Sequence, residues 1–241
     1  MSFSYDHPVL RKEDILKEKK PAFQTQRTNL TQKDAVSHSV ADRKEDNDEL
    51  RLVLFGTKQS GKSSTGDMIL GEAKFPSQCL TKSNTSINVL HGTIRCGKTI
   101  KIIETPGFRI SELAREDVKV NVVKNINTAT QQLGEEPHAY LYIISSKTNL
   151  DQETRVIDLI YRRLRKLIDK IIIVFTGFDF LQPKGLSRFT YLESLPDKFK
   201  TFVADCNGES RIIFFDNSRL FNEALAHTQV SKLIKIVETL K

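Results

Sequence analysis

Leu52-Val53-Leu54-Phe55-Gly56-Thr57-Lys58-Gln59-Ser60-Gly61-Lys62-Ser63-Ser64 is the stretch from which the rest of the chain is read. Four consecutive apolar residues ending on glycine have the texture of a parallel strand buried on both faces. Lys62 to Leu70 reads as a helix, so Gly56-x4-Gly61-Lys62-Ser63 lies between a strand and a helix. In that setting the pattern forms a phosphate-binding loop. The glycines let backbone N–H groups turn inward around phosphate oxygens, and the helix N-terminus adds a favourable dipole. Lys62 is expected on the β- and γ-phosphates and the Ser63 hydroxyl on Mg²⁺. Gly56, Thr57, Lys58, Gln59, Ser60, Gly61, Lys62, Ser63 and Ser64 are thus the candidate nucleotide-binding residues. A plain glycine-rich turn is the alternative.

Working outward, strand-like runs recur at Thr99–Ile103, Ala139–Ile144, Lys170–Phe175 and Ile212–Phe215, with a weaker alternation over Ile87–Arg95. Helical stretches fall at Leu113–Gln132, Gln152–Leu167, Tyr191–Val203 (with a break at Pro196) and Val230–Leu240. Strands alternating with helices imply an α/β fold with a mostly parallel central sheet flanked by helices. Ligands of such sheets lie at the carboxyl ends of the strands, where the motifs here also fall.

The loop alone names neither base nor chemistry. Asp179, in Thr176-Gly177-Phe178-Asp179 after the strongest strand, is placed to accept guanine N1–H and N2–H₂ together. Adenine offers no such pair of donors. A turn or helix-capping aspartate is the plain alternative. Glu104-Thr105-Pro106-Gly107 ends another strand; Glu104 is a candidate Mg²⁺ holder through water, and the Gly107 N–H a γ-phosphate donor. Thr81, in the polar loop after the first helix, is a candidate second Mg²⁺ ligand and the one residue with a possible catalytic role, an ordinary loop threonine being its alternative.

The 241 residues carry a formal net charge of +7, and 39% are hydrophobic. Residues 1–49 hold nine Lys/Arg and ten Asp/Glu, so the positive charge lies in the remainder. That polar segment reads as a disordered tail, with a short docking helix as the alternative. Cys79, Cys96 and Cys206 are too widely spaced for a zinc site and read as thiols of a reducing compartment. The chain shows neither a signal-peptide core nor a membrane-length apolar run, which sets a cytoplasmic expectation with peripheral membrane contact left open. No aromatic platform or groove helix points to nucleic acid.

The order of these motifs resembles the immunity-associated nucleotide-binding (IMAP-type, AIG-type) GTPases, relatives of septins and the chloroplast import GTPases. The residues that carry the resemblance are Leu52–Gly71, Leu80-Thr81-Lys82, Thr105-Pro106-Gly107 and Pro137-His138-Ala139. Phe175-Thr176 followed by Asp179, and Arg211 leading to Phe215-Asp216-Asn217, continue it. It covers residues 50–241 and implies a Ras-like P-loop GTPase domain binding GTP or GDP with Mg²⁺. It also implies a homo-dimer or oligomer formed through the nucleotide face, Thr81 as first-switch threonine, and Asp216, Asn217 and Ser218 at the guanine loop. Thr176 and Asn217 join the candidate nucleotide-binding set on this ground.

Two departures from the family and one feature usual in it bear on activity. Glu104 stands where the family has Asp, one methylene longer. Gly177 replaces a basic residue that packs over the guanine ring. Phe108 follows Gly107, so no glutamine is there to orient water. Arg109 and Arg115 are candidate fingers across a dimer, with surface arginines the plainer reading. His138 reads as a structural histidine, and Arg162–Leu167 as a solvated basic helical face. Three functions remain open: a slow GTPase switch, a nucleotide-binding scaffold that hardly hydrolyses, and a P-loop phosphotransferase.

Overall fold

The computed structural model describes residues 49–75, 88–181, 185–217 and 223–241. Thr81, Cys79, Ser218 and the tail before Glu49 lie outside the described residues. Among the described residues six strands form one sheet: β1 (Glu49–Gly56), β2 (Val89–Arg95), β3 (Lys98–Glu104), β4 (Ala139–Ser145), β5 (Ile171–Thr176) and β6 (Ile212–Phe215). Their spatial order is β2-β3-β1-β4-β5-β6. All neighbours pair in parallel except β2 with β3. Cys96 and Gly97, with φ of 51° and 74°, form the two-residue turn of that hairpin. Positive φ at both central positions matches the strands' twist.

The helices are α1 (Lys62–Leu70), α2 (Glu116–Gln132), α3 (Leu150–Arg163), α4 (Arg188–Glu193), α5 (Asp197–Asp205) and α6 (Glu223–Glu238). Alternate strand residues point to opposite faces, so the apolar runs feed two cores. Val53, Phe55, Tyr142, Ile173 and Phe175 pack with Ile126, Ile157, Ile160, Phe199 and Phe202 of α2, α3 and α5. Leu52, Leu54, Leu141, Ile143 and Val174 pack with Met68 and Ile69 of α1 and Val230 and Leu233 of α6. The continuous hydrophobicity of β1, β4 and β5 follows from burial on both sides.

Several boundaries differ from expectation for local reasons. The stretch from Leu113 divides into a 3-10 turn, Ile110–Ala114, and α2, because Arg115 between them is extended. α3 ends at Arg163 and a 3-10 turn, Arg165–Lys170, follows, with Leu164 and Leu167 buried. Arg162–Leu167 is therefore not one helical face. Pro196 separates α4 from α5, since it cannot donate an interior helical hydrogen bond. α6 begins at Glu223, ahead of the Val230 expected. Cys96 and Cys206 are free thiols.

Candidate nucleotide site at the carboxyl ends of the strands

Parallel pairing sets the ends of four strands side by side. Gly56 registers with Ile143, Ser145 with Thr176, and Thr176 with Phe215. The loops leaving those ends carry the candidate residues. Gly56 has φ 150°, and a Cβ there would lie 2.3 Å from the Ile143 carbonyl oxygen, so only glycine lets the chain leave β1 in this direction. Gln59 (φ 63°) and Gly61 (φ 94°) then wind the loop into α1. No side chain caps the helix at Gly61. The first-turn amides of a helix have no intrahelical acceptor, which suits this end of α1 to an anion.

Four long-range bonds hold the loop and the start of α1 in shape. The Thr176 hydroxyl donates to the Ser60 carbonyl at 2.6 Å. The Asn217 amide donates to Gly61 O at 3.3 Å and to the Thr65 hydroxyl at 3.1 Å. The Lys58 N–H donates to Phe108 O at 2.8 Å, beside the bridge between Thr57 and Phe108. Thr176 and Asn217 therefore meet the loop's backbone, whereas Asp179 sits in the 3-10 turn after β5.

Lys62 is 4% exposed and donates from Nζ to Thr57 O at 2.9 Å. Burial pushes its pKa down to about 8, with Lys58 adding to the effect and Glu104 opposing it. A buried cation of this kind is offset by an anionic ligand. Gly107 lies against it: a Cβ there would come within 2.7 Å of Lys62 Nζ and 3.1 Å of the Lys58 Cα. The Ser63 hydroxyl donates to Glu104 Oε1 at 2.9 Å, so the two candidate Mg²⁺ residues are in contact. Burial raises the Glu104 pKa, with Lys62 and Ser63 pulling against it.

Asp179 Oδ1, Ser146 Oγ, Asn217 Oδ1 and Ser60 Oγ are buried atoms with no hydrogen-bond partner in the structure. All four belong to loops leaving the same end of the sheet. Buried polar atoms are normally satisfied, so such a group of orphans fits a polar ligand. Together with the buried Lys62 ammonium, they fit a polar, anionic ligand; Ser63 and Glu104, in contact with each other, are oxygen donors of the kind that suits Mg²⁺.

His138 stands apart. Its Nδ1 accepts the Arg51 N–H at 3.0 Å and its own N–H donates to Arg51 O at 2.9 Å, at the opposite end of β1 and β4. It ties two strands together. Arg109 and Arg115 are exposed and pair locally with Glu112 and Asp117. Phe108 is buried as part of the core.

A model of the AIG1 family matches residues 50–241. The chain belongs to the AIG1 family. It is 30% identical over 196 residues to immune-associated nucleotide-binding protein 8 of Arabidopsis thaliana, a match spanning 79% of this chain and 53% of that protein. The chain thus spans about half the length of the curated relatives it matches. Among solved structures, a dimerization-deficient mutant of Arabidopsis thaliana Toc33 aligns with TM-score 0.56 and 18% identity, covering 80% of this chain and 85% of that one. Toc33 has also been solved with Mg²⁺ and GMPPNP. A further match, with TM-score 0.52 and 21% identity over 77% of this chain and 84% of the other, comes from work showing that dimerization is important for the GTPase activity of the chloroplast translocon components atToc33 and psToc159. The AIG1 chain thus has the P-loop GTPase fold. No helix among the described residues is long and apolar enough to cross a membrane.

Two residues of the site carry no sequence signal. Glu153 is fully buried on α3, and hydrogen bonds from Tyr142 and Thr57 counter the burial that raises its pKa. Lys147, in the loop after β4, lies with its Nζ 3.2 Å from the centroid of the Phe180 ring.

Proposed function

We propose that this AIG1-family chain is a guanine-nucleotide-binding switch, taking GTP or GDP with Mg²⁺ and hydrolysing GTP slowly or with the help of a second copy. The observation that carries the reading is the orphaned Asp179 Oδ1 at the end of β5, on the same edge of the sheet as the buried Lys62 ammonium. A carboxylate there accepts two donors from one base edge, which guanine presents and adenine does not. The amides of the loop and Lys62 would hold the phosphates. Ser63, Glu104 and Thr81 would hold Mg²⁺, which supplies charge neutralisation between phosphate oxygens. Ser63 would give up its bond to Glu104 and turn its oxygen to the ion. Gly107 would bring its N–H beside Lys62, where any side chain would collide.

A second reading, a scaffold that assembles but hardly hydrolyses, is favoured by Phe108. That residue is buried and locked to Lys58 through its carbonyl, so it offers no group to orient water. The first reading keeps Arg109 and Arg115 as fingers for a partner copy, in line with the dimerization dependence described for atToc33 and psToc159.

Nucleotide released from freshly purified protein by denaturation tests the core of this proposal. Near-stoichiometric GDP or GTP is expected; no bound purine and no uptake of added GDP would overturn it. Lys62→Ala should abolish binding, and Asp179→Asn should shift preference toward xanthine nucleotides. GTP turnover per molecule that rises with protein concentration supports partner-assisted hydrolysis, whereas none at any concentration leaves the scaffold.

A further inference from the structure

Gly177 has φ +68°, a left-handed conformation in which a side chain is strained. The position that in this type of base motif covers the ring is therefore bare. The space beside it is nonetheless filled. Lys147 reaches across from the loop between β4 and α3, its Cε 3.7 Å from where a Gly177 Cβ would stand. Its Nζ rests on the Phe180 ring, which is 54% exposed. Phe180 Cδ2 and Ser146 Oγ each lie 3.8 Å from the same Gly177 point. Ser146 Oγ and Asp179 Oδ1, from these same two loops, are buried without hydrogen-bond partners.

An exposed lysine–phenylalanine contact contributes little to stability by itself. Folding therefore gives little reason to leave a large aromatic ring half in water with a lysine laid across it. The two orphaned oxygens on these loops call for a ligand that brings hydrogen-bond donors.

We propose that Lys147 and Phe180 form a clamp for the purine base. The four-carbon stem of Lys147 supplies the apolar cover missing at Gly177, and its ammonium stays anchored on Phe180. The inference rests on the guanine-nucleotide reading given above. Base selection stays with Asp179, while the clamp sets how long the base is held. Long basic side chains cover apolar surface with their stems while the charge remains in water.

The test measures GDP and ADP affinity for wild type, Lys147→Ala, Lys147→Met and Phe180→Ala, with thermal melting of each in nucleotide-free buffer containing EDTA. Lys147→Ala and Phe180→Ala should weaken GDP about 5- to 20-fold, in the range for losing one stacking partner of a base. Lys147→Met, which keeps an apolar stem, should stay within about threefold of wild type. Nucleotide-free melting temperatures should match, because both side chains are exposed. Wild type that binds GDP while Lys147→Ala binds it equally well overturns the clamp and leaves the guanine reading standing. Wild type that does not bind GDP overturns both. Equal weakening in Lys147→Met and Lys147→Ala would show that charge and not the stem matters, and a fall in nucleotide-free melting temperature would make the pair structural; either defeats the clamp.

Discussion

Under the phosphate loop, the Tyr142 hydroxyl donates to Glu153 Oε2 at 2.5 Å, and both residues are 0% exposed. Tyr142 registers with Phe55 across the strand pair and stacks on it at 5.1 Å. Glu153 Oε1 has no partner. Burial raises the Glu153 pKa while Tyr142 and Thr57 pull it down; burial first, then Glu153, pushes Tyr142 well above its usual value. Tyr142→Phe keeps the stacked ring and removes the one bond. Leaving a buried polar group unsatisfied costs about 1–3 kcal/mol, so each of Tyr142→Phe and Glu153→Met should destabilise by about 2 kcal/mol. The double variant removes donor and acceptor together and leaves only the Thr57 hydroxyl short of a partner, for about 1 kcal/mol. Additivity would give about 4 kcal/mol, so the expected coupling is about 3 kcal/mol, large for a contacting pair. Urea unfolding of nucleotide-free protein at unchanged m reads this from the midpoints. A double variant destabilised by the full sum of the singles would refute the reasoning. The pH dependence gives a second check. A raised folded pKa means that this contribution is fully present below the ordinary carboxylate range and is lost as pH rises through the elevated Glu153 value. Glu153→Met should remove that loss.

Gly56→Ala should cost at least about 3 kcal/mol, since its Cβ would meet a main-chain oxygen fixed in the β1–β4 ladder; a melting temperature within a degree or two of wild type would contradict the backbone geometry. Gly107→Ala faces mainly the mobile end of Lys62, so the fold should lose only about 1–2 kcal/mol, while GTP-analogue affinity measured by titration should fall at least about tenfold. The His138 pKa is pushed down to about 4, by burial first and then by Arg51, Lys241 and Lys170. Its contribution to stability is therefore present above the ordinary histidine value and is lost as pH falls from about 6.5 toward 4. His138→Asn, whose side-chain oxygen can still accept the Arg51 N–H, should flatten stability measured across that window.

Much of the fold was legible because burial on both faces writes itself into sequence as uninterrupted apolar runs: Leu52–Phe55, Ala139–Ile144 and Ile171–Phe175 all became central strands. The weaker alternation of Ile87–Arg95 reflects an edge strand with its Leu90 and Ile94 exposed, and its antiparallel direction rests on a Cys-Gly turn whose positive φ values no periodicity reports. Helix ends were misplaced where one extended residue, Arg115, or a buried 3-10 turn after Arg163 interrupted an otherwise helical pattern.

The strand–loop–helix around Lys62 was determined by sequence alone, because its glycines are contiguous with the strand and helix they join and the conformation they take is local. The tertiary structure alone decided which distant groups complete it. Asn217 holds Gly61 from 156 residues away, Glu153 reaches Tyr142 and Thr57 from α3, and Lys147 fills the space beside Gly177. These contacts exist because parallel pairing brings four strand ends to one edge, and proximity made through a sheet leaves no spacing rule along the chain.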